Sequence, residues 1–96
     1  MDLGLNGKRA LVLGSSQGIG AEIARVLARE GCNVYVGARR LDHIQSLADE
    51  LSEEFNVDAK AYPIDLSDGI SVEELCEKIT HEWKIDILLN NAGGPP

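Results

Sequence analysis

A chain of 96 residues, 44% hydrophobic and 26% charged, has the make-up of one globular domain at most, with a thin core. Sixteen acidic against nine basic residues give a formal charge of −7; this excludes the basic surface that non-specific nucleic-acid binding requires, so any phosphate must be held locally. No apolar run approaches the roughly 18 residues that cross a bilayer, and Met1-Asp2-Leu3-Gly4-Leu5 lacks the basic start and apolar stretch of a secretory signal, so no membrane partner and a cytoplasmic location are expected.

Arg9 to Leu13 predicts a short buried strand. The helix after it carries Ile19, Ile23, Val26 and Leu27 on one side, with Ala21, Ala24 and Ala28 permitting close approach. Between strand and helix runs Gly14-Ser15-Ser16-Gln17-Gly18-Ile19-Gly20. Glycine accepts positive φ and has no Cβ to hold a ligand away, while a helix N-terminus presents unpaired N–H groups and the positive end of the dipole. The segment is therefore expected to cradle a dinucleotide pyrophosphate. Gly14 makes the turn, Gly18 admits the phosphates and Gly20 lets the helix approach the sheet, with Ser15, Ser16 and Gln17 supplying N–H groups and short polar side chains. The spacing is G-x-x-x-G-x-G, not the commoner G-x-G-x-x-G.

Gly31 closes this helix, and Asn33 to Gly37 forms the second predicted strand. Leu41, Ile44, Ala48, Leu51 and Phe55 recur at alternating intervals of three and four, which predicts a helix with one apolar stripe. Asp58 to Ile64 is the third strand. Ser71-Val72-Glu73-Glu74 has the form of a capping box, opening a helix that buries Val72, Leu75, Ile79 and Trp83. Ile85 to Leu89 is the fourth strand; it runs into Asn90-Asn91-Ala92-Gly93, and the closing Gly93-Gly94-Pro95-Pro96 reads as loop. Strands alternating with helices of this length imply right-handed βαβ units and a parallel sheet. The expected fold is α/β, the N-terminal part of a doubly wound Rossmann fold, with strand order 3-2-1-4 and the later strands absent. Residues 1–96 then form one partial domain, and the outer edge of the fourth strand is bare.

The G-x-x-x-G-I-G loop after the first strand and the N-N-A-G after the fourth together resemble the short-chain dehydrogenase/reductase family, over a stretch from Leu5-Asn6-Gly7-Lys8 to Gly93. The resemblance implies hydride transfer between a nicotinamide dinucleotide and a small carbonyl or alcohol substrate, in a full-length form that is homo-oligomeric. It also implies that Ile19 belongs to the pyrophosphate segment, that Asp65 and Leu66 lie at the adenine ring, and that Asn91, Ala92 and Gly93 pass the two riboses. Family members are usually more than twice this length, and their catalytic serine and Tyr-x-x-x-Lys lie beyond N-N-A-G. A truncated chain without a catalytic residue is thus expected. Leu13 stands where the family usually has threonine.

Cofactor choice rests on Val36-Gly37-Ala38-Arg39-Arg40, about 20 residues past the loop, where an acid would bind the ribose 2′-hydroxyl of NAD. No acid is present. Ala38 leaves room for a 2′-phosphate and Arg39 can pair with it, supported by Arg40, so NADP is expected over NAD. Tyr35 is followed at +4 by Arg39 and Tyr62 by Leu66, so neither makes a Tyr-x-x-x-Lys pair. His43 and His81 are expected on polar helix faces without partners, and Cys32 and Cys76 as reduced packing residues, Cys76 on an apolar helix face; no metal-ligand spacing appears. The alternative to an enzyme is a non-catalytic nucleotide-binding or interaction module that pairs through the bare strand edge. A methyltransferase is disfavoured because its acid on the second strand is missing.

Overall fold

The structure, a computed structural model, describes residues 4–14, 18–65 and 67–90. In chain order it forms β1 (Arg9–Leu13), α1 (Gly18–Arg29), β2 (Asn33–Ala38), α2 (Leu41–Phe55), β3 (Ala59–Pro63), α3 (Gly69–Glu77) and β4 (Ile87–Asn90), with a π-helical turn Lys78–Glu82 directly after α3. All strand pairs are parallel, in the order β3-β2-β1-β4, as the alternation of strands and helices predicts. None of the described helices is long and apolar enough to cross a membrane.

Strand β1 is covered on both faces, which explains its unbroken apolar run: Ala10, Leu11, Val12 and Leu13 are all buried. Ala10 and Val12 face one core with Val34 and Val36 of β2, beneath Ala21, Ala24 and Ala28 of α1 and Ile44, Leu47, Ala48 and Leu51 of α2. The alanines and Leu27 make the α1 contact, with Ile23 packed at its edge. The larger Ile19 is 71% exposed and Val26 38% exposed, so the predicted inward side of α1 is narrower than its apolar residues suggest. Leu11 and Leu13 face a second, smaller core with Ile64 and Leu75, edged by the half-buried Tyr35, Tyr62, Ile79, Trp83 and Ile85.

Gly31 ends α1 at φ +92°, and a Cβ there would lie 2.8 Å from the Asn6 Oδ1 and 3.2 Å from its Cα. Both the backbone conformation and the close approach of the Asn6 segment demand glycine.

Several local expectations are corrected. Helix α3 begins earlier than its capping-box signature predicts: Asp68 is the N-cap and accepts from the Ile70 N–H at 3.0 Å. Asp68 is as good a cap as serine and also suits the helix dipole, which leaves Ser71 inside the first turn. Cys76 is exposed, not on an apolar face, whereas Cys32 is buried at the entrance to β2 as expected. After Glu77 the π turn, in which the Trp83 N–H donates to the Lys78 carbonyl at 2.7 Å, shifts the helical phase. Trp83 thereby meets Tyr35 at 4.7 Å and Tyr62 edge-on at 5.0 Å between ring centroids. Residues 85–86 lie outside the strand assigned to them. Asp86 braces the start of β1 instead, its N–H donating to the Arg9 carbonyl at 2.8 Å and its Oδ2 accepting from the Arg9 N–H at 3.0 Å.

No described strand pairs with the outer side of β4, and Leu88 on it is 52% exposed beside Leu11. An apolar strand edge is a template for pairing with another chain. The 96-residue polypeptide is expected to self-associate and Leu88→Lys to shift it towards monomer. Sedimentation velocity over a concentration series checks this; a concentration-independent monomer in the unsubstituted chain would contradict it.

Candidate functional site

Parallel strands in register end together. Leu13 is aligned with Gly37 and with Asn90, and Ala38 with Pro63, so the residues that follow the strands emerge along one rim, with neighbouring strands about 4.8 Å apart. Two backbone hydrogen bonds fix that rim. The Gly14 N–H donates to the Gly37 carbonyl at 2.6 Å, and the Ile64 N–H donates to the Ala38 carbonyl at 2.9 Å. The end of β2 therefore positions both the loop leaving β1 and the approach to Asp65.

Gly14 and Gly18 adopt φ of +73° and +65°, conformations that other residues reach only with strain. A Cβ added at Gly18 would have no described heavy atom within 4 Å, so the demand there is conformational and the space beside it is open. Gly20 is buried, which lets α1 sit close to the sheet. The first turn of α1 holds no acidic residue, leaving the positive end of its dipole unneutralised at the mouth of the loop. Ile19 projects beside it. Ser15, Ser16 and Gln17 lie outside the described residues, as do Leu66, Asn91, Ala92 and Gly93.

Arg39 and Arg40 follow β2 directly and are exposed. Arg40 is engaged twice by Asp42, Nε to Oδ1 at 3.3 Å and Nη2 to Oδ2 at 3.1 Å. That bond is the chief reason the Asp42 carboxyl lies below its ordinary range. Arg39 is near enough to Asp65 for its charge to favour the ionised carboxylate. The larger causes there are the Ser67 hydroxyl and then the Ser67 N–H, which donate to Asp65 Oδ1 at 2.6 and 2.9 Å, and together they lower the Asp65 pKa. The rim thus carries a glycine-lined helix N-terminus, two cations and one oriented carboxylate.

Other polar groups have structural roles. Tyr35 and Tyr62 are spent on the Trp83 cluster. His43 and His81 are not partnerless as expected: their Nε2 atoms lie 3.9 Å from Asp42 Oδ2 and 3.6 Å from Glu77 Oε2. They stand on separate helical segments, and no group of three or more metal-ligating side chains occurs among the described residues. Two contributors escaped the sequence reading, Asp42 and Ser67. Their signals are an acid two residues after Arg40 at a helix start and a serine two residues after Asp65 in a turn.

Residues 8–96 match the model of the family described as short chain dehydrogenase. The uncharacterized oxidoreductase YvaG of Bacillus subtilis is 40% identical over 94 residues, covering 97% of this chain and 34% of that protein. Among solved structures, L-sorbose reductase from Gluconobacter frateurii, complexed with NADPH and L-sorbose, superposes with a TM-score of 0.90 at 36% identity, over 100% of this chain and 37% of that one. An alcohol dehydrogenase from Thermococcus sibiricus complexed with 5-hydroxy-NADP gives a TM-score of 0.79 at 37% identity, over 86% of this chain and 36% of that one. The chain spans about a third of the length of these proteins.

Because the folded-state pKa of Asp65 is lowered, its link to Ser67 favours the fold above the ordinary aspartate value of about 3.9 and is lost as pH falls through the lowered value. Ser67→Ala is expected to move the Asp65 titration upwards, towards that ordinary value. Carbon-13 detected titration of the side-chain carboxyl checks this, and an unmoved midpoint would show that the Ser67 hydroxyl bond does not form in solution.

Proposed function

The chain belongs to the short chain dehydrogenase family, and on that premise we propose that residues 1–96 are the cofactor-binding part of an NADP-preferring oxidoreductase. The complete protein transfers hydride between nicotinamide and a carbonyl or alcohol substrate, and we assign it a cytoplasmic, homo-oligomeric form. The observation that carries this reading is the rim itself: a β2 that ends at Ala38 and is followed by Arg39 with no acid, hydrogen-bonded to the positive-φ Gly14 that leads into α1.

The residues fit a dinucleotide. Segment Gly14, Ser15, Ser16, Gln17, Gly18, Ile19 and Gly20 would hold the pyrophosphate through backbone N–H groups and the α1 dipole. Arg39 would pair with the 2′-phosphate, with Arg40 beside it, and Ala38 opposes neither. Asp65 and Leu66 would take the adenine ring, and Asn91, Ala92 and Gly93 the riboses. When bound, the cofactor supplies or accepts the hydride; the residues of this chain bind and orient it and screen its phosphates. The NADPH and 5-hydroxy-NADP in the two related structures support the choice of cofactor.

Proton transfer is not among the tasks of these residues. Neither Tyr35 nor Tyr62 has a lysine at +4, and both face Trp83. The 96-residue polypeptide supplied with NADPH and a panel of ketones and aldehydes is therefore expected to show no turnover. Turnover that survives repurification and follows the chain would contradict this.

The cofactor preference has its own test in the full-length polypeptide. Arg39→Ala removes a charge-assisted contact worth about 1.5 kcal/mol, so NADP affinity should fall roughly tenfold while NAD affinity holds. Ala38→Asp should move preference towards NAD by repelling the phosphate and accepting from the ribose hydroxyl. Titration calorimetry reads both; equal NADP affinity with and without the Arg39 side chain would remove the basis of the assignment.

A further inference from the structure

Two adjacent arginines leave β2, but their surroundings differ. Arg40 occupies the N-cap position of α2 with an extended backbone, φ −98° and ψ 99°, and gives the helix no side-chain cap. Its guanidinium instead turns forward onto Asp42 in a two-point contact, Nε to Oδ1 and Nη2 to Oδ2 at 3.3 and 3.1 Å. This is the fork geometry by which arginine grips either a carboxylate or a phosphate. One edge of the Arg40 guanidinium, two of its five N–H donors, is therefore committed to a carboxylate two residues away. Asp42 is in turn secured by its place in the first turn of α2, where the dipole favours an anion. A phosphate arriving at the rim meets a second obstacle at the same residue. The N-terminus of α2, which would attract it, already carries the Asp42 charge.

Among the described residues, Arg39 has no such two-point contact. Its charge acts on Asp65, whose Oδ1 is held by Ser67.

We propose that Asp42 is a specificity-determining residue that withholds Arg40 from the 2′-phosphate of the adenosine ribose, so that Arg39 alone reads that phosphate. The proposal rests on the nucleotide-binding reading of the rim and adds to it an acid that tempers NADP preference from outside the strand end. Asp42→Asn keeps the shape of the side chain and removes its charge, which frees the Arg40 fork to turn towards the phosphate.

The test uses the full-length polypeptide and two probes that differ by one group, adenosine 2′,5′-bisphosphate and adenosine 5′-monophosphate, in titration calorimetry at low salt. Asp42→Asn should raise the bisphosphate-to-monophosphate affinity ratio about three- to fivefold, a gain scaled to an exposed contact, and added salt should shrink it. Arg40→Ala alone should change the ratio by less than about twofold, as expected of a cation already engaged. In the Arg40→Ala background the gain from Asp42→Asn should vanish. An unchanged ratio in Asp42→Asn overturns the proposal, as does a gain that persists without Arg40, since that shows only the removal of a repulsive charge. If Arg39→Ala lowers the ratio while Asp42→Asn is silent, the Asp42 proposal falls and the NADP reading stands. If neither probe binds, the nucleotide reading falls and the Asp42 proposal with it.

Discussion

The geometry of the rim depends on how two carbonyls at the end of β2 are used. Gly37 accepts from Gly14 on one side and Ala38 accepts from Ile64 on the other, so three chain segments leave the sheet from a common backbone anchor. A buried N–H or C=O must be paired, and pairing these groups across strands converts sheet register into loop position. Without that anchor, the turn at Gly14, the cations after Ala38 and the carboxylate of Asp65 would have no fixed relation to one another.

The packing beneath the rim explains two residues that local pattern alone leaves unaccounted for. Leu13 occupies a position where threonine is usual in the family, and Gly37 lies in a strand, where glycine weakens the ladder. They are aligned neighbours, and a Cβ at Gly37 would sit 2.9 Å from the Leu13 Cδ2. The space that Gly37 leaves is filled by Leu13, which is buried with Ile64 and Leu75. The end of β1 is thus steadied by apolar contact where a hydroxyl would otherwise brace it. On the other face, small residues of α1 allow the helix to approach closely, which brings its N-terminus to the loop.

Element type and order were legible in the sequence because short apolar runs alternate with longer stretches of helical period, and β1 is found at its expected limits. What escaped was set by competition between neighbours. Asp68 and Ser71 both suit a helix start, and in the fold Asp68 is the N-cap, its side chain accepting from the Ile70 N–H. The π turn at Lys78 has no periodic signature, yet it determines where Trp83 points. At the rim, the places of Gly14, Gly18, Arg39 and Asp65 at strand and helix ends were legible because each flanks an apolar run. Asp42 and Ser67 were not, because each acts through a side chain whose direction is fixed only in three dimensions. The expected homo-oligomer and the roles of Asn91, Ala92 and Gly93 are carried by the family resemblance alone.

The central claim is that the glycine turn and the β2 end form one nucleotide cradle. Amide proton and nitrogen shifts recorded while NADPH is added to the full-length polypeptide test it most directly. The account predicts that Gly14, Gly18, Ile19 and Gly20 shift together with Arg39 and Asp65 at a single shared affinity, while the outer faces of α2 and α3 stay still. Perturbations that bypass the glycine turn, or that fit one affinity at the turn and another at Arg39, would contradict it.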